Sequence, residues 1–162
     1  MKTEALIFDW GDTIMVDFGF PLPMVTWDRI EWVPGAESAL RQVYRKYFCC
    51  IASNAPASDT ENMIAALKVV GADQYFREFI TSKDIGVEKP DLRFFTIICD
   101  RIGFPPEKCL MIGDVYEKDI TGAKECGMKT VLYNKSGLEQ PFPMADAVIT
   151  IMAELPEVIE KL

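Results

Sequence analysis

Four short stretches of this chain carry side chains suited to moving a phosphoryl group. An apolar run, Ala5–Asp9, ends in Asp9-Trp10-Gly11-Asp12-Thr13, and a second, Phe48–Ser53, ends in Ser53-Asn54. Lys89 stands directly before Pro90, and Cys109–Gly113 is followed by Asp114, with Asp119 five residues further on. A carboxylate at a strand end can attack phosphorus in line and form an aspartyl phosphate that water later cleaves. Two anions repel, so that attack needs a divalent cation; Mg²⁺ takes one or two carboxylates together with phosphate oxygens and water. A hydroxyl and an ammonium then hold the remaining phosphoryl oxygens and neutralise charge in the transition state. Asp9 suits the attack, Asp114 suits direct ligation, and Asp119 suits ligation through water or support of the other ligands. Ser53 and Lys89 fit the two phosphoryl-holding roles.

Composition removes the main rivals. The 162 residues contain no histidine, which excludes Ser-His-Asp and Cys-His hydrolysis, His-ligated zinc and imidazole acid–base chemistry. Seventeen Lys and Arg against 25 Asp and Glu give a net charge of −8. That field repels nucleic acid and anionic membranes, so an anionic substrate must be drawn in by a local cation or a metal. The N-terminus carries no signal-peptide pattern, and the apolar stretches are too short to span a bilayer. Five cysteines with no C-x-x-C pair read as reduced thiols packed in a cytoplasmic core.

These residues need a scaffold that brings them together, and the chain has the rhythm of one. Strand-like runs at Ala5–Asp9, Phe48–Ser53, Glu78–Thr81, Cys109–Gly113, Lys129–Tyr133 and Ala147–Thr150 alternate with helical patterns. Ala36, Ala39, Leu40, Val43, Tyr44 and Tyr47 form one helical stripe, and Ser58-x-x-Glu61 reads as a capping box for a helix ending at Gly71. Pro90 is expected to start a third helix with Phe94, Ile98 and Ile102 inward; further helices run through 117–126 and from Leu155. The pattern predicts a three-layer, doubly wound parallel α/β sheet, a single domain over 1–162, with ligands at the carboxyl ends of the strands. Only Ile14–Val33, rich in aromatics and proline, falls outside the rhythm; it is long enough for a flap and too short for a domain.

Taken in order and on these elements, the four stretches resemble the motifs of the haloacid dehalogenase-like hydrolases. Thr13 lies four residues after Asp9, Gly86-Val87-Glu88-Lys89-Pro90 leads into Phe94-Phe95, and Asp119 is followed by Gly122-Ala123. Val33-Pro34-Gly35-Ala36 is also similar to the phosphatase branch. The resemblance implies a Rossmann-like core, Asp9 as nucleophile, and Mg²⁺ held by Asp9, the Gly11 carbonyl and Asp114, with Asp119 assisting. It implies that Ser53, Asn54 and Lys89 bind the phosphoryl group. No inserted cap domain is expected, since one helix, a turn and a strand fill the stretch between Asn54 and Glu88. By resemblance, capless members often act on large substrates or use a partner subunit as a lid. A phosphorylated substrate, small or large, is the expected partner, and oligomeric state stays open.

The pattern breaks at one position. Phosphatases of this kind usually place a second Asp two residues after the nucleophile, as the acid for the leaving oxygen; here Gly11 stands there and Asp12 follows. A backbone carbonyl survives that change, whereas the acid does not. Neighbouring residues of a turn point differently, so Asp12 does not inherit the role automatically; Asp12 or water is the expected proton donor of a working phosphatase. A bias toward good leaving groups is expected, because general acid catalysis is worth roughly 10²–10⁴-fold. The Asp-Trp opening is also similar to that of a C–P-cleaving branch. Two other readings stay open: a receiver-type phospho-accepting domain, distinguished by strand order, and a catalytically weakened member that binds without turnover. Taken singly, Asp9 and Asp114 are strand-end turn residues, Asp119 a favourable first-turn acid, Ser53-Asn54 a turn signal, and Lys89 a surface lysine with Lys83 as its substitute.

Overall fold

The computed structural model describes residues 2–162. In chain order, β1 (Ala5–Phe8) leads through a long loop to α1 (Ala36–Val43), then β2 (Phe48–Ser53), α2 (Thr60–Val69), β3 (Glu78–Thr81) and the single turn α3 (Ser82–Ile85). There follow α4 (Leu92–Ile102), β4 (Cys109–Gly113), α5 (Thr121–Glu125), β5 (Lys129–Tyr133), β6 (Ala147–Ile149) and α6 (Leu155–Lys161). The six strands form one parallel sheet in the order β3-β2-β1-β4-β5-β6.

Period-two alternation splits each central strand between two layers. Leu6, Phe8, Cys49, Ile51, Leu110 and Ile112 face α1, α2 and α6 on one side of the sheet. Ala5, Ile7, Cys50, Ala52, Cys109 and Met111 face α4 and α5 on the other. This is the expected three-layer doubly wound architecture. The chain leaves β1 in one direction across the sheet and returns to β4 on its other side. The carboxyl ends of β1 and β4 therefore flank the crevice where such folds bind ligands. The order also separates the fold from receiver domains, in which the third strand neighbours the first; here β1 lies between β2 and β4.

Local details differ from the sequence expectation. The cap of α2 is Asp59, whose side chain accepts from the Asn62 amide, while Ser58 is buried and its amide donates to Ala55. A carboxylate one residue closer to the helix is the better acceptor for those amides. Pro90 is not the first residue of α4. The Lys89–Pro90 bond is cis, and Asp91 caps the helix by accepting from the Arg93 amide. The stripe of α1 persists to Tyr44 and Tyr47, which pack on the core, but the helix itself stops at Val43. The helix expected over 117–126 opens as a wide π-helical turn, Tyr116–Ile120, before α5.

The segment 14–33 is pinned at both ends. Ile14, Met15 and Val33 are buried, Val16 donates to Glu31, and Val33 donates to Ile14. Its tip is a ring cluster in which Phe20 and Trp27 meet edge to face at 5.4 Å and Phe18 lies 6.1 Å from Trp27. Arg29 stacks on Phe18, 4.0 Å from the ring centroid. Among the described residues no helix is long and apolar enough to cross a membrane, and all five cysteines are free.

Candidate active site

Asp9 follows β1 directly, and its amide donates to Ile112 of the neighbouring strand, so its backbone still belongs to the sheet. Parallel pairing of Phe8 with Ile112 then brings Asp9 and Asp114 to the same edge. Asp119 reaches that edge from the wide turn after β4. One carboxylate oxygen from each of Asp9, Asp114 and Asp119 lies within 4.8 Å of the others.

Lys89 is the cation of this cluster and is 3% exposed. Its Nζ donates to Asp9 Oδ1 at 2.8 Å, to Asp119 Oδ1 at 2.6 Å and to the Ala52 carbonyl at 3.2 Å. All three ammonium protons are therefore used. Asn54 fixes the backbone from which Lys89 projects. Its Nδ2 donates to the Lys89 carbonyl (2.9 Å) and its Oδ1 accepts from the Lys89 amide (2.8 Å). The side-chain amide of Asn54 is thus committed to main chain, although the residue also lines the cleft. Ser53 is buried beside it and lines the same cleft; its hydroxyl makes no hydrogen bond among the described residues.

Each carboxylate is oriented by a different neighbour. Asp114 Oδ1 accepts from the Thr13 hydroxyl at 3.2 Å, and Thr13 is fully buried. Asp119, 1% exposed, has both oxygens engaged: Oδ1 with Lys89 and Oδ2 with the Val115 amide at 2.9 Å. Gly113 is required for this approach, since a Cβ there would lie 2.3 Å from Asp119 Cγ. Gly122 allows a second close approach, to the segment that follows Lys89. A Cβ on it would lie 2.3 Å from the Pro90 carbonyl and 2.5 Å from the Phe95 ring.

Three carboxylates facing one ammonium leave excess negative charge in a partly dry site. Burial, reinforced by repulsion from Asp9 and Asp119, pushes Asp114 up to about 7. Burial likewise raises Asp119 to about 6, with Asp9 adding to the rise and Lys89 opposing it. Burial disfavours the Lys89 ammonium, but attraction by Asp119 and Asp9 outweighs it and holds the lysine above its ordinary value.

Asp12 sits differently. Its φ of 57° places it in the left-handed region, and its amide donates to the Met15 carbonyl at 2.6 Å. Oδ1 accepts from the Asp17 amide at 3.1 Å, and Oδ2 pairs with Lys135 Nζ at 2.7 Å. Presenting a proton to a substrate would mean breaking that pair. Sequence patterns singled out neither Lys135 nor Asp17, because both come from irregular segments with no motif. Asp17, Phe20, Leu22 and Trp27 of the 14–33 segment line the cleft together with Asp9, Asp12, Ser53, Lys89, Asp114 and Asp119.

The profile of the haloacid dehalogenase-like hydrolases matches residues 23–127, well over half of the chain. The chain belongs to that family. Asp9 lies outside the matched stretch, so its place in the site rests on the sheet geometry. Relatives include a glyceraldehyde 3-phosphate phosphatase of Pyrococcus furiosus, 32% identical over 136 residues, 80% of this chain and 55% of that protein. An N-acylneuraminate-9-phosphatase of Mus musculus is 31% identical over 108 residues, 64% of this chain and 43% of that protein. A glyceraldehyde 3-phosphate phosphatase of Methanothermobacter thermautotrophicus is 38% identical over 65 residues, 40% and 29% of the two chains. The chain spans about half or less of the length of these relatives. Among solved structures, an uncharacterized protein from Listeria monocytogenes serotype 4b shares the fold (TM-score 0.85, 23% identity, 98% and 99% of the two chains). So does a HAD phosphatase from Thermococcus onnurineus (TM-score 0.79, 20% identity, 97% and 98%).

Proposed function

We propose that this chain is a Mg²⁺-dependent phosphatase that cleaves phosphomonoesters through an aspartyl phosphate on Asp9. The observation that carries the reading is the juxtaposition of Asp9, Asp114 and Asp119 within one 4.8 Å cluster, with Asp9 ion-paired to the buried Lys89. The donor set fits the metal. All three groups are hard oxygen donors, their charge exceeds that of the single ammonium, and Mg²⁺ prefers a few carboxylates with room for water. Asp9 and Asp114, each with one oxygen free of side-chain partners, would hold the ion with the Gly11 carbonyl; Asp119, with both oxygens engaged, supports them. When bound, the ion neutralises the approach of phosphate to Asp9.

The remaining chemistry belongs to the chain. Asp9 attacks phosphorus, the bond to the leaving oxygen breaks, and water then cleaves the acyl phosphate. Ser53, whose hydroxyl is uncommitted, binds one phosphoryl oxygen. Lys89 holds Asp9 in line and meets the transferred group once Asp9 Oδ1 gives up its place. Asn54 keeps Lys89 in position. We read residues 1–162 as one catalytic domain and 14–33 as its flap, with Phe20, Leu22 and Trp27 forming an apolar wall over the substrate. Small phosphorylated metabolites are the favoured substrates, in keeping with the names of the relatives. The free thiols fit a cytoplasmic setting.

The test is hydrolysis of p-nitrophenyl phosphate with and without Mg²⁺ in the native chain and in Asp9→Asn. Turnover should require the metal and fall by at least 10³-fold, an order-of-magnitude figure for loss of a nucleophile. Activity that ignores Mg²⁺ or persists in Asp9→Asn overturns the assignment.

A further inference from the structure

We infer that Asp17, reaching in from the 14–33 flap, supplies the leaving-group acid that position 11 lacks; the inference rests on the phosphatase reading of the site. Gly11 is not held in the left-handed region, so its backbone does not demand glycine. What occupies the space beside it is another side chain. A Cβ built on Gly11 would lie 3.4 Å from both Cβ and Oδ2 of Asp17, and 3.7 Å from its Cγ. The Asp17 carboxyl therefore stands where a side chain on residue 11 would project, and it lines the cleft with Asp9.

Its placement is held from three directions. The Asp17 amide donates to Asp12 Oδ1, and Asp12 is itself anchored by Lys135. Asp17 Oδ1 accepts from the Gly19 amide at 2.8 Å, closing a tight turn in which Gly19 takes a φ of 74°. Phe18, between them, is fixed by Arg29 and the ring cluster. Oδ2 accepts no hydrogen bond among the described residues and lies on the side of Gly11. Asp12 is thereby a positioning residue for Asp17, which explains how an acid one step out of register still serves the site.

In the first step Asp9 forms its bond to phosphorus while the bond from phosphorus to the ester oxygen breaks. The electron pair stays on that oxygen, which takes the proton of Asp17 and leaves as the alcohol. In the second step Asp17, now a carboxylate, removes a proton from the water that attacks phosphorus. Asp9 departs as carboxylate, phosphate is released, and Asp17 is protonated again for the next cycle.

The experiment compares an aryl ester, p-nitrophenyl phosphate, with an alkyl ester, glycerol phosphate, in the Mg²⁺-loaded chain. An aryl oxygen leaves without a proton, whereas an alkoxide needs one. Asp17→Asn, which keeps the turn to Gly19, should lower kcat/KM, which reports only formation of the aspartyl phosphate, by roughly 10²–10⁴-fold for the alkyl ester and by less than about tenfold for the aryl ester. The aryl rate doubles as a control for folding and for the nucleophile. Adding Gly11→Asp to Asp17→Ala, which clears that space, should return at least about tenfold of the alkyl rate that Asp17→Ala loses. Equal losses on both esters, or no loss on either, overturns the role of Asp17 and leaves the phosphatase reading standing. A native chain that turns over neither ester overturns the phosphatase reading, and this role with it.

Discussion

Replacing Lys89 by Met removes the ammonium that, among the described residues, is alone in bonding within the cluster of three carboxylates, while keeping the side-chain volume. Lys89 is 3% exposed and its bonds to Asp9, Asp119 and Ala52 measure 2.8, 2.6 and 3.2 Å. Breaking a buried pair by removing one partner costs about 3–5 kcal/mol. A second route gives a similar figure. The orphaned Asp119 escapes by taking a proton, and neutralising at pH 7 a carboxyl whose ordinary value is 3.8 costs roughly 4 kcal/mol, at about 1.4 kcal/mol per pH unit. For a chain of this size that corresponds to a Tm lowered by about 10 °C or more. The deficit must shrink on acidification from pH 7 to about pH 6, by up to about 1.4 kcal/mol, because the rescuing proton becomes easier to bind; below that the native Asp119, itself raised to about 6, takes a proton too and the difference levels off. Urea unfolding of native and Lys89→Met protein in EDTA at pH 7 and pH 5 measures both quantities. Adding Asp119→Asn should restore at least half of the lost stability. A loss below about 1 kcal/mol, or one that does not change with pH, would refute the view that Lys89 is held by electrostatics within a dry cluster.

Other expectations follow from the same geometry. Because Asp114 sits at about 7 and Asp119 at about 6 in the fold, both above 3.8, the metal-free native state binds more protons than the unfolded chain between about pH 4 and 7. The stability they contribute is complete below that window and is lost as pH rises through it. In EDTA, native protein should therefore lose Tm relative to Asp114→Asn between pH 5 and 8, and Mg²⁺ should raise the native Tm more at pH 8 than at pH 5; equal Mg²⁺ shifts would contradict this. Gly113→Ala drives a methyl into Asp119, whose Cγ and Oδ2 lie 2.3 Å from the added carbon. It should cost about 1–3 kcal/mol and weaken the Mg²⁺-induced rise in Tm. Gly122→Ala meets the Pro90 carbonyl and the Phe95 ring, and should destabilise by a similar amount while displacing the turn that presents Lys89. Crystal structures or amide exchange of these variants would locate the shift, and an unchanged melting curve would contradict the crowding.

Much of this protein is local and therefore readable from its sequence. Apolar runs and helical stripes depend on neighbours a few residues apart, so Phe48–Ser53, Glu78–Thr81, Cys109–Gly113 and Lys129–Tyr133 have the expected ends. Asp9, Ser53 and Asp114 sit at strand ends, where a parallel α/β sheet collects its ligands, and the types of the candidate site residues already limit the chemistry. Competing local signals were harder to rank: Ser58 against Asp59 as a cap, and Pro90 against Asp91 as a helix start. The tertiary structure alone decided the long-range pairings. Thr13 orients Asp114 across 101 residues, Asn54 clamps Lys89 across 35, and Lys135 ties down Asp12. Asp17 comes beside Gly11 only because the 14–33 segment is stitched through Met15 and weighted by its ring cluster. No periodicity or motif encodes such contacts, because they depend on where a folded loop comes to rest rather than on what lies next to it in the chain.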